Sequence, residues 1–149
     1  MSDDVTEELD ERHLEQLRER VKGSPFHRWS GMELTSVGGG EAEIVMELDE
    51  DRHFNPQRIV HGGIISAVAD TAIGLALRSK LRPGFSHRTA QLNVHFLSKG
   101  EGNRLVARGR AVHLGRRMGY GEAEVYDETD RLLARASATF IVMEAPGAF

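Results

Sequence analysis

The sequence predicts an α+β domain in which one antiparallel sheet packs against a single principal helix. Two observations predict this class. From His61 to Lys80 the apolar side chains do not alternate with polar ones, which is typical of a helix, whereas several segments after Pro83 alternate with the period of a half-buried strand. At 149 residues the chain has the length of one ordinary domain. We therefore expect a single sheet with the helix on one face.

The first part of the chain predicts a peripheral helix followed by a β-hairpin. From Val5 to Lys22 a thin apolar stripe runs among many charges, which indicates an exposed or peripherally docked helix that ends at the following Gly-Ser-Pro. The segment after Gly31 has a strand pattern and leads into three glycines at positions 38–40. Apolar and acidic residues then alternate over positions 41–48, as expected for the partner strand of a hairpin.

The second part of the chain predicts the principal helix and four further strands. The first of these strands places Thr89 on one face and Leu92 and Val94 on the other, because successive side chains of a strand point to opposite faces. On this pattern we divide the chain into an acidic N-terminal helix, residues 1–24, and one domain, residues 25–149. The four strands are predicted at residues 89–96, 104–114, 118–126 and 132–143.

The composition excludes several classes of protein. There is no cysteine, so disulfides, thiolate nucleophiles and cysteine-ligated metal centres are excluded. The acidic first residues lack the order of a secretion signal and no apolar run reaches the ~20 residues that span a bilayer, so we expect a soluble cytoplasmic protein without a membrane partner. Residues 1–52 hold 15 acidic and 6 basic groups, and residues 53–149 hold 8 and 13. The basic half suits an anionic ligand, but its cations are scattered, which argues against nucleic acid.

One carboxylate, Asp70, lies in the middle of the apolar helix. Between Ile64 and Leu77 the other polar side chains are Ser66 and Thr71, so the helix is expected to be buried on most sides. No cation stands three or four residues from Asp70, and burial of an unpaired carboxylate is costly. Its partner is either a group elsewhere in the fold, such as an arginine or a backbone group, or a substrate or water. We favour the second interpretation, which makes Asp70 a candidate catalytic residue.

The dipeptide Gly62-Gly63 stands where the helix is expected to begin, after His61. The first N–H groups of a helix have no internal partner, so they can hold a developing oxyanion, and glycine lets a ligand approach closely. Gly62 and Asp70 are eight residues apart, about 12 Å along one helix, which is too far to serve one carbonyl without a water chain. Two such helices, antiparallel across a two-fold axis, would bring Gly62 of one chain near Asp70 of the other. We therefore predict composite sites at a homodimer interface.

Five parts of the sequence together resemble a known family. They are Asn55, His61-Gly62-Gly63, Asp70, the strand Thr89-Ala-Gln-Leu-Asn-Val-His-Phe-Leu97 and the strand Leu132-Leu-Ala-Arg-Ala-Ser-Ala-Thr-Phe140. These residues resemble the hotdog-fold acyl-CoA thioesterases of the phenylacetate-degradation (PaaI) type. The resemblance implies a hotdog fold, with an antiparallel sheet wrapped around one long central helix. It also implies dimers that often pair into tetramers, and hydrolysis of an acyl-CoA thioester without metal or cofactor.

By position, the resemblance assigns a role to each residue of the motif. Asp70 matches the catalytic carboxylate, which acts as general base or nucleophile. Gly62 matches the backbone donor that polarises the thioester carbonyl. Asn55 and His61 match residues that orient the carbonyl or the water, and Thr89 falls where relatives carry a hydroxyl near the carboxylate. The chemistry agrees, because a thioester needs an oxyanion donor and either a base-activated water or a nucleophile.

The substrate itself predicts further binding residues. Coenzyme A carries phosphates, so cations are expected near the mouth of the site. The acyl group is expected to be aryl or medium-chain, since Phe54, Ile59, Val60 and Phe96 offer apolar walls, although core packing explains these residues equally well. The predicted substrate-binding residues are Gly63, Arg116 and Arg117, followed by Arg82, Arg88 and Lys99.

Two other functions and a metal site are alternatives at this stage. The histidine at the helix start keeps open a hotdog-fold hydratase or dehydratase that acts on enoyl or hydroxyacyl thioesters. A non-catalytic acyl-CoA binding domain is the second alternative. His53 and His61 with Asp70 could suggest a metal, but their spacing is not that of a metal motif, so we expect none.

Overall fold

The chain folds as a six-stranded antiparallel sheet, seen in a computed structural model that describes residues 5–148. The strands are β1 (Met32–Gly38), β2 (Glu41–Glu47), β3 (Phe85–Phe96), β4 (Arg104–Leu114), β5 (Met118–Asp127) and β6 (Leu132–Glu144). Their order across the sheet is β1-β2-β4-β5-β6-β3, so β1 and β3 are its edges. The helices are α1 (Glu11–Gly23), α2 (Pro25–Ser30), α3 (Glu50–His53) and α4 (Gly62–Arg78).

The long helix α4 lies against one face of the sheet, and its buried side chains form the central core together with those of the strands. Its apolar side chains pack on β2, β4 and β5, and the buried residues include Val68, Ala72 and Ile73. Two glycines of the sheet let the helix approach closely. A Cβ at Gly109 would lie 2.4 Å from the backbone carbonyl of Ala72, and a Cβ at Gly121 would lie 2.7 Å from Cγ2 of Ile73. The predicted fold class, one antiparallel sheet around a long helix with a peripheral N-terminal helix, is confirmed.

The predicted N-terminal helix is wrong on its N-terminal side. α1 begins at Glu11, because Asp10 caps it by accepting a hydrogen bond from the His13 N–H at 2.9 Å. Val5 is buried in an extended segment instead, where its carbonyl accepts from the Arg82 N–H at 2.9 Å. The first four residues of the predicted 1–24 segment lie outside the described residues.

Two short helices were not predicted. α2 starts at Pro25, a residue that is favourable at the first helical position because its ring fixes φ and its missing N–H needs no partner there. It ends at Ser30 and is capped by Gly31, which has a left-handed φ of 78°. α3 is a single turn that Asp49 caps by accepting from the Asp51 N–H at 2.9 Å. Both are shorter than the window in which an apolar period can be recognised.

No helix among residues 5–148 is long and apolar enough to cross a bilayer. The cytoplasmic location stays a prediction from the sequence.

Candidate active site

The partner of Asp70 is a hydroxyl group from the neighbouring strand. Asp70 is half-buried near the middle of α4, and the Thr89 Oγ1 of β3 donates a hydrogen bond to its Oδ1 at 2.8 Å. Within residues 5–148 no arginine, lysine or histidine forms an ion pair with Asp70. The carboxylate is therefore oriented by a neutral donor, while its charge is not compensated by a cation of the described chain.

Thr89 faces the helix because the register of β3 is irregular beside it. Thr89 pairs with Phe140 of β6, but Gln91 pairs with Thr139, so one extra residue, Ala90, is accommodated between them. Phe140 is buried on the helix side of the sheet, and paired residues of antiparallel strands point to the same side. The regular alternation predicted Thr89 on the face opposite Leu92, and the irregularity makes that prediction wrong.

Two glycine N–H groups lie at the N-terminus of α4, and among residues 5–148 one of them is hydrogen-bonded and the other is not. His61 is the N-cap, and its Nδ1 accepts a hydrogen bond from the Gly63 N–H at 2.8 Å. Gly63, a predicted substrate-binding residue, therefore has its backbone donor occupied by the cap. Among residues 5–148 the Gly62 N–H has no acceptor. The ring of Phe96 lies over Gly62, at 3.2 Å from the position of a Cβ there. Gly62 is thus the donor of this helix end that a ligand can use.

Asn55 shapes the loop that leads into α4. Its Oδ1 accepts hydrogen bonds from the backbone N–H of Gln57 at 3.0 Å and of Ile59 at 3.2 Å. The loop is held to α3 as well, since the His61 N–H donates to the His53 carbonyl at 2.8 Å. Asn55 and His61 therefore both bond to local backbone, and each of them fixes the approach to Gly62.

An apolar cavity of about 350 Å³ opens beside Gly62. Asn55 and Lys99 contribute the polar part of its wall, together with Ser98. Asp70 is not one of its lining residues; it lies eight residues further along α4, about 12 Å away. The Gly62 N–H and the Asp70 carboxylate of one chain are therefore at separate places, as the sequence predicted. The apolar walls come from Ile59, Val60, Ile65, Phe96 and Leu97.

Four of the five predicted phosphate-binding cations lie away from this cavity. Arg116 and Arg117 are exposed in the turn between β4 and β5, near the start of β3, where Arg88 is also exposed. The Arg82 guanidinium lies over the ring of Phe85, 5.2 Å from its centroid. Lys99 lines the cavity, and its Nζ is 2.7 Å from Glu101 Oε1. Within one chain the arginines lie near the start of β3, whereas Gly62 lies near its last residue, Phe96.

A larger concavity, about 600 Å³, lies on the face of the sheet away from α4. Its walls carry arginines and glutamates that pair with each other, among them Arg108 with Glu43 at 3.1 Å and Arg135 with Glu124 at 3.0 Å. Asp70 and Gly62 are on the opposite side of the sheet, so this concavity is separate from the candidate active site. Among residues 5–148 no group of three His, Asp or Glu side chains is placed to hold a metal ion.

Sequence reasoning missed one polar residue on the same stretch of β3. His87 contacts α4 one helical turn beyond Asp70, with its Nε2 2.6 Å from the Gly74 carbonyl oxygen. Burial lowers the pKa of His87 below the usual histidine value. The only available signal was its position two residues before Thr89, which places both side chains on one face of a strand.

A six-stranded antiparallel sheet wrapped around one long helix is the hotdog fold, and the half-buried carboxylate on that helix suits a thioester hydrolase. The chain belongs to the thioesterase superfamily, whose family model matches residues 57–134, just over half of the chain. The predicted family and the predicted enzyme class are therefore confirmed.

Relatives and solved structures agree with this membership. The chain is 27% identical to a 1,4-dihydroxy-2-naphthoyl-CoA hydrolase of Listeria monocytogenes, over 75% of this chain and 90% of that one. It is 29% identical to the medium/long-chain acyl-CoA thioesterase YigI of Escherichia coli, over 79% and 85% of the two chains. The structure of the E. coli PaaI protein superposes with a TM-score of 0.81, covering 89% of this chain and 94% of that one. At 19% identity the last likeness concerns the fold alone.

Proposed function

We propose that the protein hydrolyses acyl-CoA thioesters to a free acid and coenzyme A. The observation that carries this proposal is the pairing of two features on α4. One is a carboxylate, Asp70, which the Thr89 hydroxyl holds and no cation of residues 5–148 compensates. The other is the N–H of Gly62 at the helix N-terminus, which has no acceptor in that same range. The carboxylate can activate a water molecule or attack the thioester carbon itself, and the N–H group can hold the oxyanion that forms.

Two routes use the same residues. In the first, Asp70 takes a proton from water, whose oxygen attacks the thioester carbon. In the second, the Asp70 oxygen attacks directly to form an anhydride, which water then hydrolyses. In both, the carbonyl oxygen becomes an oxyanion that accepts from the Gly62 N–H, the C–S bond breaks as the tetrahedral intermediate collapses, and the thiolate of coenzyme A leaves and is protonated.

The substrate class follows from the cavity beside Gly62. Its walls are apolar and its volume suits an acyl group of modest size. The names of the two relatives span this range, an aryl-CoA hydrolase and a medium/long-chain acyl-CoA thioesterase. We propose aryl or medium-chain acyl-CoA as the substrate. The His61 ring is engaged as the cap of α4, so no observation favours the hydratase alternative.

The test of this function is the release of free thiol from a panel of aryl and medium-chain acyl-CoAs. We expect turnover with at least one of them, unaffected by dialysis of the protein against a chelator, because the proposed chemistry needs no metal or organic cofactor. Ligand-induced thermal stabilisation without turnover of any thioester would instead indicate the non-catalytic binding domain.

We propose that the site is completed across a homodimer. Strand β3 supports this, because it is a 12-residue edge strand whose last residue, Phe96, and the following Leu97 are 55% and 56% exposed. A second β3 paired antiparallel to this edge would place the arginine-bearing end of one chain beside the Gly62 cavity of the other. It would likewise bring Asp70 of one protomer toward Gly62 of its partner. Pairing of such dimers into tetramers stays a prediction from the resemblance.

Mixed dimers test the shared site. Proline at the first helical position removes the N–H but is tolerated, and His61 already has the extended conformation that precedes a proline, so Gly62→Pro deletes the donor while keeping the helix. Gly62→Ala is the matched control, because it adds a Cβ near Phe96 but keeps the N–H. We expect Gly62→Pro alone to lose about 100-fold in kcat.

The decisive sample is a dimer of one Gly62→Pro chain and one Asp70→Asn chain, isolated with two different affinity tags. If each site combines Gly62 of one chain with Asp70 of the other, one of the two sites is intact and about half of the wild-type activity returns. A mixed dimer as inactive as its parents would place both residues of a site in one chain.

A further inference from the structure

His87 makes a second contact between β3 and α4, beside the Asp70–Thr89 pair. Its Nε2 is 2.6 Å from the Gly74 carbonyl oxygen, and its ring stacks on Phe140 with centroids 5.0 Å apart and planes inclined by 26°. A carbonyl oxygen is only an acceptor, so Nε2 carries the hydrogen and donates it. Asp70 and Arg78 of α4 are the charged groups that act on this ring.

The two contacts match in spacing. Gly74 follows Asp70 by four residues, an advance of about 6 Å along the helix. His87 precedes Thr89 by two residues, an advance of about 6.7 Å along the strand in the opposite direction. Helix and strand therefore run antiparallel side by side and are joined at two points, one helical turn apart.

Gly74 lets the second contact form. A Cβ at this position would lie 3.3 Å from Cε1 and Cζ of Phe140 and 3.8 Å from Nε2 of His87. A larger side chain would push the two rings away from the helix backbone. The absence of a side chain at Gly74 thus gives His87 access to the carbonyl.

The sheet alone holds strand β3 only loosely near Thr89. It is an edge strand, and within the described part of the chain its one partner in the sheet is β6, with an irregular register between Thr89 and Gln91. The pairing with Phe140 sets the side of the sheet that Thr89 faces, but beside this irregularity the β6 ladder does not by itself fix the distance of the Thr89 hydroxyl from α4. A contact that joins β3 directly to α4 just before the irregularity does.

We infer that His87 is a positioning residue, which holds β3 against α4 at Gly74 so that the Thr89 hydroxyl orients the Asp70 carboxylate. The inference rests on the proposed hydrolysis and extends it to a residue that touches neither substrate nor the reacting atoms. It assigns a task to a histidine that the motif does not include.

The test compares two replacements of His87. His87→Phe keeps a ring against Phe140 but removes the donor, whereas His87→Gln places an amide N–H where Nε2 was. We expect His87→Phe to lower kcat about tenfold with KM within twofold, the size of one lost hydrogen bond, and His87→Gln to recover most of it. His113→Phe, at an exposed histidine of β4, is the matched control and should leave kcat unchanged.

A double-mutant cycle separates positioning from general support. In a Thr89→Val background His87→Phe should lower kcat less than twofold further, because the hydroxyl that His87 positions is already absent. A tenfold loss in both backgrounds, or no loss in either, would overturn the inference.

The same cycle measured on the free energy of unfolding, by urea titration, does not need activity. If the effects of the two substitutions on the free energy of unfolding are not additive, the contacts of His87 and Thr89 are coupled. This result would stand even if no thioester were hydrolysed, in which case the proposed function alone would fail. Additive effects on unfolding would count against the coupling whether or not the enzyme is active.

Discussion

Replacing Asp70 with asparagine is expected to lower kcat for thioester hydrolysis by about 1,000-fold or more while leaving the fold intact. The amide has the size of the carboxylate and its Oδ1 can still accept the Thr89 hydrogen bond, so packing is preserved. It can neither take a proton from water nor attack a thioester at a useful rate, and general base or nucleophilic catalysis contributes ~10²–10⁴-fold. Thiol release at saturating substrate, with circular dichroism to confirm the fold, measures the effect.

A matched carboxylate elsewhere provides the control. Asp51 is exposed on α3, and Asp51→Asn changes the net charge by the same amount. We expect it to retain wild-type kcat. If Asp70→Asn kept more than a tenth of the activity with a normal fold, Asp70 would not be the base or the nucleophile.

The fold could be predicted because its strongest signals are local. The alternation from Arg104 to Leu114 predicted the observed limits of β4, and the largely apolar run from His61 to Lys80 predicted α4. The apolar stripe was misleading only at Val5 and Leu9, which are buried but lie before the start of α1. Val5 packs against Leu81 and Val142, a contact between distant parts of the chain, and its carbonyl accepts from the Arg82 N–H.

The site was predictable only along the helix. The spacing of Gly62 and Asp70 along α4 follows from helical geometry, and the structure keeps it. The direction of Thr89 did not follow, because a strand irregularity turns it toward α4 and no local residue marks that irregularity. The bond from His87 to Gly74 is tertiary, so periodicity carries no information about it. Sequence patterns thus locate groups within an element, whereas their orientation depends on how elements meet.

Replacing Gly109 with alanine is expected to destabilise the protein by about 3 kcal/mol or more, the upper part of the range for an overpacked core. The new Cβ would lie 2.4 Å from the carbonyl carbon and oxygen of Ala72 and 2.8 Å from the Ile73 nitrogen. These are backbone atoms inside a helix, so they cannot move aside as a flexible side chain would. Either α4 rises from β4 or the strand bends. Urea unfolding measures the loss.

Gly23→Ala is the control for this substitution. Apart from its own helix backbone and chain neighbours, no atom of residues 5–148 would lie within 4 Å of its Cβ, and its backbone is not left-handed. We expect its free energy of unfolding to change by less than ~0.5 kcal/mol. A Gly109→Ala protein as stable as wild type would mean that α4 does not lie this close to the sheet. Any displacement of α4 also moves Asp70, two residues before Ala72, relative to Thr89 on β3. Hydrolysis should therefore fall in Gly109→Ala even at low temperature, where the variant remains folded, because the close approach of helix and sheet sets the geometry of the carboxylate.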